Sequence, residues 1–216
     1  VAVPDPSTFQ ILPWRPQEKG AARMFCDIKT PTGEPFEGDT RAVLRRVCDE
    51  AYDRGMICSL SPAIEHFYFK DSKGVEPLDC GGYFDSMPLD SGNDLRRESV
   101  LMLERMGIPV EYSHHENAPS QHEIHLRYAD ACSMADAVMT HRLVVKQVAQ
   151  SHGCYASFMP KPCAAYDGSG MHLHIALHNL DGVNLFYDPH DPDGYQLSQT
   201  AKYFLAGLLR YAPEYT

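Results

Sequence analysis

Residues 110–128 read VEYSHHENAPSQHEIHLRY. Strand-forming residues flank Asn117, Ala118, Pro119 and Ser120, whose chemistry is that of a turn, so the segment predicts a hairpin of two strands, 110–116 and 122–128. A turn centred between Pro119 and Ser120 sets Glu116 directly opposite Glu123, with Cβ atoms about 5 Å apart. Like charges so placed destabilise a ladder unless something cationic lies between them, and hard divalent cations such as Mg²⁺ or Mn²⁺ suit carboxylate oxygens. Glu123, His125 and Arg127 share the polar face, while Ile124 and Leu126 point the other way into a core. Glutamates splayed into water would satisfy the same pattern.

Working outward, a third carboxylate lies in AIEHFYF, residues 63–69, where Glu65 alternates with Phe67 and Phe69. An unpaired charge on that apolar face costs several kcal/mol, so it needs a partner, a cation or an arginine. DGSGMHLH, residues 167–174, puts His172 and His174 on one face of a strand, with glycines that let the backbone approach a ligand closely. Two satisfied core histidines are the plainer reading of that pair. The chain has no GxxxxGK[ST] loop, no helix-opening GxGxxG and no GxSxG, which removes support for P-loop, Rossmann and α/β-hydrolase chemistry.

Three helical patterns surround these strands. From Asp39 to Gly55, Val43, Val47 and Ala51 form one stripe; from Asn93 to Met106, Leu95, Ser99, Met102 and Met106 do; from Asp130 to His152, Met134, Val138, Val145 and Val148 do. A further helix is predicted over 197–211, and strands over 57–69 (broken at Pro62), 155–159 and 171–177. Residues 1–35, with Pro4, Pro6, Pro13, Pro16, Pro31 and Pro35, predict an extended, loop-rich segment with one strand-like run over 23–28. Strands arrive in adjacent pairs rather than in βαβ alternation, so the fold class is α+β with an antiparallel sheet.

The chain has 216 residues, enough to bury roughly 70% of its unfolded surface without disulfide staples. A net charge of −10, with basic residues paired only as Arg45, Arg46 and Arg96, Arg97 on predicted helix surfaces, argues against nucleic acid. Apolar runs fall short of the ~20 residues that span a bilayer, so no membrane role is expected. Seven cysteines, none in a CxxC pair, fit a reducing cytoplasm. The chain begins at Val1 and stops after a helix-like pattern at Thr216, as a fragment would.

HHENAPSQHEIHLRYADA, ASFMPKP and DGSGMHLHIAL, in this order and spacing, resemble the catalytic domain of glutamine synthetases and related glutamate-amine ligases. The similarity runs from about Arg23 to the end and includes YFDSMPLDSGNDLRRESVLMLERMG and LSQTAKYFLAGLLRYAPEYT, which makes 36–216 a partial catalytic domain after the extended segment 1–35. The resemblance implies a curved antiparallel half-barrel backed by helices and a ring-shaped homo-oligomer, commonly a dodecamer. It implies ATP-dependent formation of γ-glutamyl phosphate from glutamate, then displacement by ammonia or a small amine, with Mg²⁺ or Mn²⁺ assisting. By the same resemblance Glu65, Glu116 and Glu123 hold the first cation and His172 the second; Glu111, Tyr128 and His174 meet ATP; Asp167 and Gly168 meet glutamate.

Three positions depart from the family pattern. Ala63 stands where a second glutamate usually precedes Ile64 and Glu65, Asp167 replaces an asparagine, and Ala176 replaces a serine near the nucleotide. The small N-terminal β domain and the C-terminal part that carries clamping arginines and a flap carboxylate are expected to be absent, so this chain by itself is expected to bind metal weakly and to be inactive. A non-catalytic structural or regulatory homologue is the second reading, and a metal-dependent hydrolase using Glu116, Glu123 and His172 the third.

Overall fold

The carboxylates and histidines lie on one face of an antiparallel sheet whose other face is packed by helices. The computed structural model describes residues 1–15 and 17–215; Pro16 and Thr216 lie outside the described residues. The strands are β1 (Ala2–Pro4), β2 (Gln10–Ile11), β3 (Ala22–Arg23), β4 (Cys26–Ile28), β5 (Met56–Phe69), β6 (Val110–His115), β7 (Gln121–Leu126), β8 (Ala129–Asp130), β9 (Tyr155–Ser157) and β10 (Met171–Asn179). The helices are α1 (Thr40–Asp53), α2 (Asn93–Arg105), α3 (Ala131–Ser151), α4 (Gln199–Arg210) and α5 (Ala212–Tyr215). The main sheet runs β10-β5-β7-β6, with β8 and β9 also paired to β5, and every pairing is antiparallel.

Period-two alternation along β5 sorts the two faces. Ile64 and Tyr68 join Ile124 and Leu126 of β7, Leu103 of α2 and Val144, Val145 and Val148 of α3 in the main core. Phe67, Phe69 and Ala118 form a small cluster on the opposite face, beside Glu65. The helices start where their caps dictate: the Asp39 carboxylate accepts from Arg41 N, and the Asp130 carboxylate from Ser133 N. Gly107 and Gly153 follow α2 and α3 with φ of +79° and +73°, the left-handed conformation that ends a helix without steric cost.

Five expectations need correction. Pro62 does not break β5, which runs unbroken for 14 residues. Glu65 N donates to Gly170 O and Tyr68 N to Ser120 O, so even-numbered β5 amides face β7 and Pro62 would face Leu126. That carbonyl instead accepts from Ser61 Oγ at 2.7 Å, so the missing N–H leaves no orphan. Second, α1 reads as a surface helix with one apolar stripe, and at Val43 and Val47 that stripe does not turn inward, these being 39% and 54% exposed. Third, Arg96 is not on a helix surface but buried, ion-paired to buried Asp90 at 2.8 Å. Fourth, the strand expected over 155–159 ends at Ser157. Fifth, the run over 23–28 divides between β3 and β4.

The first 35 residues are tied to the rest through charge. The Arg41 guanidinium bonds Asp5 (2.8 Å), Asp27 (2.6 Å) and Asp136 (3.0 Å), joining the leading strands to α1 and α3. Among the described residues no helix is long and apolar enough to cross a membrane.

Candidate metal and substrate site

Glu123 on β7 lies between Glu65 on β5 and His114 on β6 in the ladder, because the registers pair Glu65 with Glu123 and His114 with Glu123. The expected opposition of Glu116 and Glu123 is therefore wrong by two positions. Glu116 N donates to Gln121 O, and the turn is centred between Ala118 and Pro119, with Ser120 at φ +59°. A slip of two residues preserves which face each side chain occupies, so both glutamates still reach one site. His114, two residues before Glu116 on the same face, fills the space between them: its Nε2 is 2.8 Å from Glu116 Oε1 and 3.6 Å from Glu123 Oε2.

A cavity of about 400 Å³ collects these groups, with Glu65, Glu116, Glu123, His114, His172 and His174 in its wall. Ligand atoms of Glu65, Glu123 and His172 lie within 4.8 Å of one another, as do those of His114, Glu116 and Glu123, so Glu123 is common to both groups. Ala63 faces His172 across the β5–β10 register and offers no ligand there. Among the described residues no lysine or arginine pairs with any of the three glutamates. Burial pushes the Glu65 carboxyl up, the Gly170 N–H offsets part of this, and the Glu116 charge adds to the rise. Burial also pushes Glu123 up, with His114 opposing and Glu116 and Glu65 adding. Oxygen-rich, with Glu123 buried and Glu65 and Glu116 partly so, and short of cations, this donor set suits a hard divalent ion.

The remaining predicted residues divide. His174 shares the cavity wall and stacks on His125, with ring centroids 4.9 Å apart; the His125 imidazole is held below its ordinary range by burial and by His174. Glu111 is the extra residue of a β-bulge between Val110 and Tyr112 and pairs with Arg127 at 3.0 Å, outside the cavity wall. Tyr128 is 54% exposed and also outside it. Asp167 accepts from Asn117 Nδ2 at 2.6 Å, and the Gly168 carbonyl accepts from Gln121 Nε2 at 2.9 Å. At Gly168 a Cβ would sit 2.7 Å from Pro160 O, so this backbone approach requires glycine.

Sequence reasoning missed His114, Gln121 and Phe84. His114 was legible from its period-two spacing to Glu116. Phe84, whose ring stacks on His114 at 4.6 Å, arrives from a distant loop and left no local signal. A second His/Asp group, Asp79, Asp90, His115 and His122, is fully buried behind the sheet. Arg96 already supplies its cation, 2.8 Å from both Asp90 and His122, and Asp79 Oδ1 already accepts from His115, Ser120 N and Gly81 N.

Residues 37–216 match the glutamine synthetase catalytic-domain family. The chain belongs to the glutamine synthetase family. It is 52% identical over 220 residues to the glutamine synthetase of Mycolicibacterium smegmatis, covering 99% of this chain and 49% of that protein. Against the enzyme of Methanosarcina mazei the identity is 49%, covering 98% and 48%. The cryo-EM structure of Plasmodium falciparum glutamine synthetase superposes with a TM-score of 0.86 at 27% identity, over 97% of this chain and 46% of that one. Ligand-free GmaS gives 0.88 at 31% identity, over 98% and 50%. This glutamine synthetase family chain thus spans about half the length of the curated relatives it matches, and its α+β antiparallel fold agrees with theirs.

Proposed function

We propose that the chain is a segment of an ATP- and divalent-metal-dependent ligase that forms an amide at the γ-carboxylate of glutamate. One observation carries this reading: three glutamates, two of them with carboxyl groups pushed up mainly by burial, line one cavity, and among the described residues no arginine or lysine neutralises them. Glu65, Glu116 and Glu123 would hold one Mg²⁺ or Mn²⁺, and His172 would contribute to a second. Bound there, such cations supply charge neutralisation and orientation for phosphoryl transfer from ATP to the γ-carboxylate. His174, Glu111 and Tyr128 serve the nucleotide in this reading, and Asp167 and Gly168 the amino-acid substrate. Displacement of the phosphate by ammonia or a small amine completes the reaction, in a homo-oligomeric ring.

A non-catalytic homologue is the second reading, favoured by Ala63, which leaves His172 without a carboxylate from its neighbouring strand position. Mn²⁺ titration of the chain, followed by the electron-spin resonance of free Mn²⁺, separates the two. One bound ion per chain is expected, and no binding would overturn the ligase reading. Among the described residues the cavity wall contains no lysine or arginine to hold phosphate. No ATP-dependent amide is therefore expected from this chain by itself, and its detection by mass spectrometry would refute that expectation.

A further inference from the structure

Gln121 opens β7, and its side chain is 1% exposed. Its Nε2 lies 3.0 Å from Glu65 Oε2, 2.9 Å from the Gly168 carbonyl and 3.2 Å from Ser169 Oγ. A carboxamide nitrogen carries two hydrogens, so three acceptors compete for them. Carboxylate and carbonyl oxygens can only accept, whereas the Ser169 hydroxyl can donate elsewhere, so the two hydrogens go to Glu65 and Gly168. The amide cannot turn over. Its Oε1 faces the Ala118 N–H at 3.4 Å, and a flipped group would aim oxygen at two acceptors.

Glu65 Oε2 accepts a second hydrogen bond, from Gly170 N at 3.0 Å. Both donors use the same oxygen. Oε1 takes neither bond: a Cβ built on Gly170 would lie 3.6 Å from Oε1 and 3.6 Å from His172 Nε2, and a carboxylate oxygen of Glu65 lies within 4.8 Å of a ring nitrogen of His172. One oxygen of Glu65 is thus committed to the 168–170 loop and its latch, while Oε1 is left free of those two donors on a residue that lines the cavity.

We propose that Gln121 is a positioning residue that couples cation binding at Glu65 to the backbone of the Gly168–Gly170 loop. The inference rests on the proposed role of Glu65 as a cation ligand. A cation held by Glu65 would fix the orientation of its carboxylate, Gln121 would pass that orientation to the Gly168 carbonyl, and an ordered loop would favour the cation in return, since coupling is reciprocal. Residues that orient a metal ligand from behind typically change metal affinity by roughly 10–100-fold when replaced.

The test uses the full 216-residue chain with Mn²⁺ as the probe. Gln121→Met keeps length and volume but has no donor. It is expected to weaken Mn²⁺ binding by about 10–100-fold in the spin-resonance titration. In the wild-type chain Mn²⁺ is expected to slow amide hydrogen exchange in a peptide covering 166–171, and in Gln121→Met that protection disappears while exchange in α3 stays unchanged. A purely structural Gln121 would instead speed exchange throughout without altering its Mn²⁺ dependence. Mn²⁺ binding by the wild-type chain with no loop protection overturns the coupling even if the variant does not fold, as does a folded variant with wild-type affinity and protection; in both cases the cation reading stands. Absence of Mn²⁺ binding by the wild-type chain overturns the cation reading and the coupling with it.

Discussion

Glu123 pairs across strands with both Glu65 and His114 and belongs to the ligand groups of both Glu65 and Glu116. Such a residue is kept at a cost to stability, because burial and like charge both oppose its ionised form. Glu123→Gln keeps the shape and removes the charge. Without metal, the variant is expected to melt about 2–4 °C higher, the shift that roughly 1 kcal/mol produces in a domain of this size. Its Mn²⁺ affinity is expected to fall by about tenfold or more, as removal of a coordinating oxygen anion should do. Calorimetry of both proteins with and without Mn²⁺ checks this, and a variant that melts lower while retaining affinity would show that Glu123 is held by contacts rather than by a cation. At this scale Glu65, Glu116, Glu123 and His172 were legible because spacing and charge are local properties. Gln121 was not, because its acceptors lie 47 to 56 residues away in sequence.

At the scale of elements, β5 is the spine, and the position where sequence reasoning broke it is the informative one. Ser61 Oγ donates to Leu126 O at 2.7 Å and lies 2.9 Å from His125 Nε2, standing in for the N–H that Pro62 lacks. Removing it strands a buried carbonyl, which costs about 1–3 kcal/mol. Ser61→Ala is expected to lower stability by that order in denaturant unfolding. In a Pro62→Ala background the restored backbone donor should shrink the loss, so a double-mutant cycle with no interaction energy would count against the substitution of one donor for another. The sequence reads the proline as a break, and β5 runs through it. What the local sequence omitted was the hydroxyl next to it and the register that brings Leu126 opposite.

Across the whole molecule, the core side of the sheet is unusually rich in imidazole. His141 on α3 is fully buried, and burial, reinforced by the Arg142 charge, lowers its pKa from 6.5 to about 3. His66 and His122 are also held well below 6.5, first by burial and then by a neighbouring histidine, His141 for His66 and His66 for His122. In the unfolded chain these groups accept protons near 6.5, so the unfolded state binds protons first as the pH falls. Stability that is fully present above 6.5 is therefore lost below it, and His141 accounts for about 2 kcal/mol of that loss at pH 5. The raised Glu65 and Glu123 carboxyls act in the opposite sense, favouring the fold when protonated. The melting temperature is expected to drop between pH 7 and pH 5, and His141→Leu should flatten the drop; an unchanged slope would remove His141 from the account.

The sequence by itself determined the fold class, the order of the longer strands and helices, most helix ends and Glu65, Glu116, Glu123, His172 and His174 of the cavity wall. These follow from side-chain period, capping chemistry and charge, which act within a few residues. Only the tertiary structure decided the two-residue register of the hairpin, the outward face of α1, the burial of Arg96 against Asp90 and the convergence of Gln121, Glu65 and Gly168. Each depends on which distant segment supplies the partner, and a chain read one window at a time carries no term for that contact.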